Sequence, residues 1–163
     1  MIASGPGPIY PWPIGPGPRY QPTAANVRVR EGKPVDGFRC ANGKRFAVHV
    51  ELFANRRVII VPRGIGVARN GRRYPLSTTA PTGVVQVLAS HRYTLGDLFR
   101  VWGRVLSRNR LLSFHGPVAV FVGGHRFAGK PADVPLTKHA EIVVELGAYL
   151  APHVNYLFPK GAG

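Results

Sequence analysis

The chain has 163 residues, of which 45% are hydrophobic, which fits one small domain with a core of its own. It carries 22 Lys and Arg residues against 7 Asp and Glu, so its formal net charge of +15 favours an acidic macromolecule as partner. A single cysteine, Cys40, excludes an internal disulfide, and no apolar run approaches the roughly 18 residues of a membrane span.

Residues 1–34 are a Pro/Gly-rich arm in which the sequence Gly-Pro-Gly-Pro occurs twice. Proline fixes φ and lacks an amide donor, so the arm is predicted to be extended or disordered rather than helical. Tyr10, Trp12 and Tyr20 lie among the prolines and are predicted to dock on a partner or on the domain, the alternative being a plain linker. The folded domain is predicted over residues 35–152, and an extended tail over 153–163.

Two strands are predicted at the start of the domain. Residues 46–53 alternate and are rich in β-forming side chains, residues 57–61 follow, and a turn is expected at Asn55 and Arg56. Residues 62–83 hold several arginines and glycines with two further prolines, which predicts a long basic loop.

A third strand over residues 84–88 precedes a helix. Thr94 is the expected N-cap, with Asp97 in near capping-box spacing and Gly103 as C-cap. Strands at 118–122 and 141–146, with a Gly-Gly turn and a short return between them, complete the pattern. The order predicts an α+β fold, a mixed sheet wrapped on one helix as in ubiquitin-like β-grasp domains.

Five segments resemble a family of uncharacterised bacterial proteins, common in actinobacteria and often secreted or membrane-anchored. They are DGFRC at 36–40, VPRGIGV at 61–67, YTLGDLFRVWG at 93–103, VFVGG at 120–124 and VPLTKHAEI at 134–142. The resemblance covers about three-quarters of the chain and implies the same fold.

Typical members of that family carry alternating histidines on the first strand, a His-Thr-His motif before the third strand and one more His on it. Such a set looks like a metal site, because alternate residues of a strand share a face. Here only one of these histidines remains, and the matching positions read Arg45, Ala47, His49, Ser77, Thr78, Thr79 and Gln86. The resemblance therefore implies a degenerate site, with no metal and no cofactor expected.

No constellation of catalytic side chains is evident in the sequence. The histidines share no helical or strand-paired spacing and are interpreted as structural residues: His49, His91, His115, His125, His139 and His153. Glu141 and Glu145 fall on one face of the last strand and are expected to pair with Arg or Lys. We therefore predict a protein that is not an enzyme, with an unrecognised Ser/Thr site as an alternative.

Clustered arginines are the positive signal, the alternative being a merely solvated basic face. The predicted anion-binding set is Arg56, Arg57, Arg63, Arg69, Arg72, Arg73, Arg100, Arg104, Arg108 and Arg110. The leading hypothesis is a non-catalytic interaction protein that binds an acidic protein surface, a macromolecular complex or nucleic acid. A degenerate extracytoplasmic metal-binding protein is the alternative. No signal peptide pattern is present, so the expected location is the cytoplasm, or outside it if an export signal was removed.

Overall fold

The computed structural model describes residues 37–158 and 160–161, together with the backbone of Arg19 and Tyr20. The predicted roles of Tyr10 and Trp12, the predicted conformation of most of the arm and the predicted domain start at residue 35 lie outside the described residues. The described strands and helix are β1 Arg19–Tyr20, β2 Arg45–Ala54, β3 Arg57–Ile59, β4 Leu76–Ser77, β5 Val84–Leu88, α1 Leu95–Trp102, β6 Leu106–Ser107, β7 Arg110–Leu111, β8 Phe114–His115, β9 Val118–Val122, β10 His125–Arg126 and β11 Glu141–Leu146. A 3-10 turn spans Pro131–Asp133.

The described part of the chain is mostly β, with a mixed main sheet, a small second sheet and one short helix. The main sheet has the order β1-β3-β2-β11-β9-β10. One edge of the long strand β2 is shared: β5 pairs with its first half, and β3 pairs with its last three residues. On the other edge β11 runs parallel to β2, with Glu141 opposite His49. The expected mixed sheet and single helix are confirmed at this level.

Both faces of β2 and β11 are buried, which the alternating sequence did not predict. The face towards α1 carries Val48, Val50 and Leu52, which pack with the apolar side of the helix in the main core. The opposite face is covered by the segment 150–158, and its apolar cluster consists of Phe53, Val58, Phe121, Val143 and Leu150. A strand covered on both sides needs near-continuous burial, and β11 is buried at every position.

The local signals for turns and caps are confirmed. Asn55 and Arg56 have φ of 49° and 67°, the left-handed conformation that a two-residue hairpin turn of type I′ requires. Thr94 and Asp97 form a reciprocal capping box, and Gly103 ends α1 in the left-handed conformation with φ 76°.

Two regions differ from the sequence-based prediction. The stretch from 62 to 83 is not one long loop, because β4 pairs with β5 and Val67 bridges to Arg73. Buried Ile65 and Leu76 anchor this stretch to the core, an effect that its glycine and proline content conceals. Strands β6, β7 and β8 form a small sheet that was not predicted, since strands of two residues leave no recognisable period.

Candidate functional sites

Most of the predicted arginines are on the surface. The exposed side chains are Arg56, Arg57, Arg63, Arg69, Arg72, Arg100 and Arg108, whereas Arg73, Arg104 and Arg110 are half-buried. The half-buried three donate hydrogen bonds within the domain: Arg73 to the Gln86 side chain, Arg104 to the Gly103 carbonyl and Arg110 to the Leu112 carbonyl. They therefore contribute to the fold as well as to the charge.

The arginines do not form one continuous helix face. Because α1 ends at Trp102, Arg100 is the only helical member of the series at 100, 104 and 108. It lies over the Phe38 ring at 4.9 Å and within 3.5 Å of Asp97. Tyr20, the third predicted docking aromatic, has its backbone in β1, paired with Ile59.

Arg63 and Arg69 are brought together at an open cleft of about 410 Å³, which is also lined by Thr78 and Thr79. The Thr78 hydroxyl donates to the Pro62 carbonyl at 2.7 Å and accepts from the Ile65 amide at 3.0 Å. It is therefore occupied as a structural hydrogen-bonding group. The buried Ser77 hydroxyl has no hydrogen-bond partner among the described residues.

The acidic side chains are distributed very unevenly between surface and interior. Five lie in the described part of the chain, and Glu51, Glu141 and Glu145 among them are buried on the second face of the main sheet. The expectation that Glu141 and Glu145 pair with Arg or Lys is wrong. Glu141 contacts His49, because the parallel register of β2 and β11 places the two residues opposite each other, and Glu145 accepts the Leu150 amide at 2.9 Å.

A His/Glu cluster of four side chains, His49, Glu51, Glu141 and His153, occupies this face. The parallel register of β2 and β11 places Glu141 opposite His49, and Glu51 lies two residues further along the same face of β2. His49 Nδ1 is 2.7 Å from Glu141 Oε2, and His153 Nδ1 is 2.8 Å from Glu51 Oε2. His49 and His153, which share no spacing in the sequence, are thus brought to the same two carboxyls, and their interpretation as structural residues stays a prediction.

The segment 150–158 and the loop before β5 cover the side of the cluster that faces away from the sheet. The Tyr156 ring stacks on the His49 ring with centroids 3.6 Å apart and planes 8° from parallel. His49 Nε2 lies 2.9 Å from the Thr82 carbonyl, which can only accept, so Nε2 carries the proton and Nδ1 faces Glu141 as an acceptor. The three residues on β2 and β11 are at most 3% exposed.

Burial separates the protonation states of the four groups. It lowers the pKa of His49 to about 4 and, together with the neighbouring Glu51, raises the pKa of Glu141 to about 11. Burial alone would also raise the pKa of Glu51, but hydrogen bonds from His153 and Glu141 bring it below its usual value. The hydrogen bond with Glu51 in turn raises the pKa of His153 despite its partial burial. These shifts favour the charged forms of His153 and Glu51 and the neutral forms of Glu141 and His49.

The cluster has the composition of a metal centre. One ligand atom from each of His49, Glu51 and Glu141 can be chosen so that all three lie within 4.8 Å of one another. Sequence reasoning missed this set because its members come from positions 92 residues apart. The sequence signal that could have found it is the presence of two buried-strand glutamates in a chain with so few acids.

Comparisons with family models, with curated proteins and with solved structures find no match to this chain. Within the described residues, no helix is long and apolar enough to cross a bilayer.

Proposed function

We propose that this protein is a non-catalytic binding protein whose arginine-rich surface takes up an acidic macromolecule. The observation that carries the proposal is the burial of Glu51, Glu141 and Glu145. With these removed from the surface, Asp97 and Asp133 are the acids left outside the core in the described part of the chain. The surface is thus even more one-sided than the net charge of the chain.

The exposed arginines are also available to a partner. Among the described residues, the ion pair between Arg100 and Asp97 is the one that joins an arginine to a carboxylate. Arg63, Arg69 and Arg72 follow one another along a single stretch of chain, and the first two line the same cleft. Guanidinium groups bind phosphate, sulfate and carboxylate groups with paired donors, and such contacts suit a repeated anion.

The arm extends this surface in our proposal. Backbone pairing of Arg19 with Val58 and of Tyr20 with Ile59 places these two residues beside β3, the hairpin strand that begins with Arg57. In our proposal a partner bound at the hairpin also contacts the arm, whose Tyr10 and Trp12 have side chains suited to apolar contacts.

A β-grasp-like framework is the architecture that we propose for the domain. The strand order β3-β2-β11-β9-β10 supports it. The parallel pairing of β2 with β11, two strands with α1 between them in the sequence, supports it as well. Strands β4 and β5 and the small sheet would then be additions to that framework. This likeness concerns architecture and carries no function by itself.

Salt-dependent binding to heparin tests the proposed surface. The loop variant Arg63→Gln, Arg69→Gln, Arg72→Gln removes three exposed charges from one region. The control variant Arg126→Gln, Lys130→Gln, Lys138→Gln removes three exposed charges from the C-terminal third. We expect the loop variant to bind heparin more weakly. The plot of log K against log salt should become less steep by roughly 2 to 3, since each of the three lost phosphate-like contacts contributes about 0.7 to 0.9 to the steepness.

The control variant should change affinity far less, because its charges lie outside the proposed surface. Binding that is insensitive to salt would refute the electrostatic basis of the proposal. Equal losses in both variants would show that net charge alone attracts the polyanion, without a defined surface. The same titration with a chain lacking residues 1–34 measures the contribution of the arm to heparin binding. An acidic host protein captured by the full chain, but not by the chain lacking residues 1–34, would be a partner that contacts the arm.

A further inference from the structure

The His/Glu cluster is not needed by the proposed polyanion surface, and its charge pattern requires its own explanation. The chain has 22 Lys and Arg residues, yet the ion pairs described for Glu51 and Glu141 are with histidines. Two carboxyl groups buried side by side without a fixed cation are costly. A cation bound between the two carboxyls would offset this cost without an arginine.

The Glu141 carboxyl has one oxygen to spare within the described part of the cluster. Glu141 Oε1 is buried and makes no hydrogen bond to any described residue, although the residue is only 3% exposed. An acceptor left unpaired in the interior costs roughly 1 to 3 kcal/mol, and more when the group is charged. A cation between the two carboxyls would use this oxygen or its neighbour.

The imidazole is already oriented as metal-bound imidazoles are. His49 directs its Nε2 proton to the Thr82 carbonyl, which leaves the Nδ1 lone pair facing the carboxyls. Metal-ligating histidines usually hold their second nitrogen in this way, by a hydrogen bond to a carbonyl or carboxylate. Glu51 has a comparable outer partner in His153, whose Nδ1 lies 2.8 Å from Glu51 Oε2 and would fix the rotamer of the carboxylate.

We propose that His49 Nδ1 and the carboxylates of Glu51 and Glu141 bind one divalent transition-metal cation of the Zn²⁺ or Mn²⁺ type. The nitrogen ligand disfavours Mg²⁺ and Ca²⁺, which prefer sites made wholly of oxygen. Ligands about 2.1 Å from one metal in a tetrahedral arrangement are about 3.5 Å apart. The three atoms lie within 4.8 Å of one another, so metal binding would require the carboxyl groups to move closer together.

The proposed ligand set differs from the positions at which the resembled family carries its histidines. It shares His49 with that set and replaces the others by two glutamates, with Tyr156 stacked over the imidazole ring as a cover. Three protein ligands leave at least one coordination position for water or another small donor.

Zinc titration of the full chain, made without a polyhistidine tag and freed of metal, tests the site. Isothermal calorimetry with ZnCl₂ should give one site per chain for the parent protein, and Glu141→Gln and Glu51→Gln should weaken it roughly tenfold or more. Glu145→Gln is the matched control, because Glu145 is a buried glutamate on the same face of β11 outside the ligand set. It should bind zinc as the parent does.

Two results would overturn the proposal: no stoichiometric zinc or manganese binding by the parent chain, or binding that all three variants retain equally. The second result would assign the metal to exposed histidines such as His91 and His125. The parent chain also gives an answer if the variants fold poorly. On addition of zinc, the ¹⁵N resonance of His49 Nδ1 should shift, whereas the Nε2 resonance should keep the position of a protonated nitrogen. An unchanged Nδ1 resonance would exclude His49 as a ligand.

Discussion

Gly83 allows the loop before β5 to lie against the His/Glu cluster. Its φ is +82°, its carbonyl accepts the Val50 amide at 2.8 Å, and the adjacent Thr82 carbonyl meets His49. A Cβ at this position would lie 2.4 Å from the Val50 oxygen and 3.0 Å from His49 Nε2. Only glycine therefore allows the loop before β5 to approach β2 so closely.

Gly83→Ala is expected to destabilise the domain by more than its backbone conformation alone explains. Gly71→Ala is the matched control, because Gly71 also has φ +82° but a Cβ there meets nothing within 4 Å. Both variants incur about 1 to 2 kcal/mol for the left-handed conformation. The clash should add roughly 1 to 3 kcal/mol in Gly83→Ala. Urea unfolding measures both values, and equal losses would contradict the close approach.

Glu145 gives a prediction about pH at a distance from the proposed metal ligands. Burial raises its pKa, partly offset by the hydrogen bond from the Leu150 amide. The folded state therefore holds the proton more tightly than the unfolded state does. The resulting stabilisation is complete below the unfolded pKa, near 4.5, and is lost as the pH rises through the higher folded value.

Glu145→Gln should consequently match the parent in stability near pH 4 and exceed it increasingly towards pH 8. The glutamine carbonyl can still accept the Leu150 amide but cannot ionise. Thermal unfolding of both proteins over this pH range measures the difference. Asp133→Asn is the control variant, because it makes the same exchange of a carboxyl for an amide on an exposed side chain. A constant difference between Glu145→Gln and the parent at all pH values would disprove the assignment.

At the scale of elements, the turn of the β2–β3 hairpin carries a charged side chain at a position where glycine would be more stable. Both turn residues have positive φ, and Asn-Gly is the sequence that such turns favour. Here Arg56, with φ 67°, stands at the second position, where glycine is preferred. A bulky residue in this conformation costs roughly 1 kcal/mol relative to glycine. An arginine at such a place is easiest to understand if its guanidinium contacts a partner.

Arg56→Gly should therefore raise the free energy of unfolding by about 1 kcal/mol and still weaken heparin binding. Arg57→Gly removes the same charge one residue later, where the chain has entered β3, and should instead lower stability by roughly 0.5 to 1 kcal/mol. Denaturant unfolding and heparin affinity of the two variants separate the effects. A loss of stability in Arg56→Gly would show that the arginine side chain supports the turn.

At the scale of the whole molecule, what the sequence predicts is divided between local and distant information. The turn at Asn55, the capping box at Thr94 and the strands at 118–122 and 141–146 depend on neighbouring residues, and all were predicted correctly. The expected partners of Glu141 were wrong, since they depend on the register between β2 and β11. Periodicity identifies a buried face but not what covers it, so the role of the segment 150–158 was not evident.

The order of the main sheet has a consequence for how the chain is made. Strand β11 lies between β2 and β9, although it follows both of them in the chain and is the last of the described strands. Until it emerges from the ribosome, β2 and β9 each present an unpaired edge, and the two halves of the sheet cannot join. A product that terminates before Glu141 would remain open and susceptible to proteases, so the fold itself distinguishes a finished polypeptide from an interrupted one.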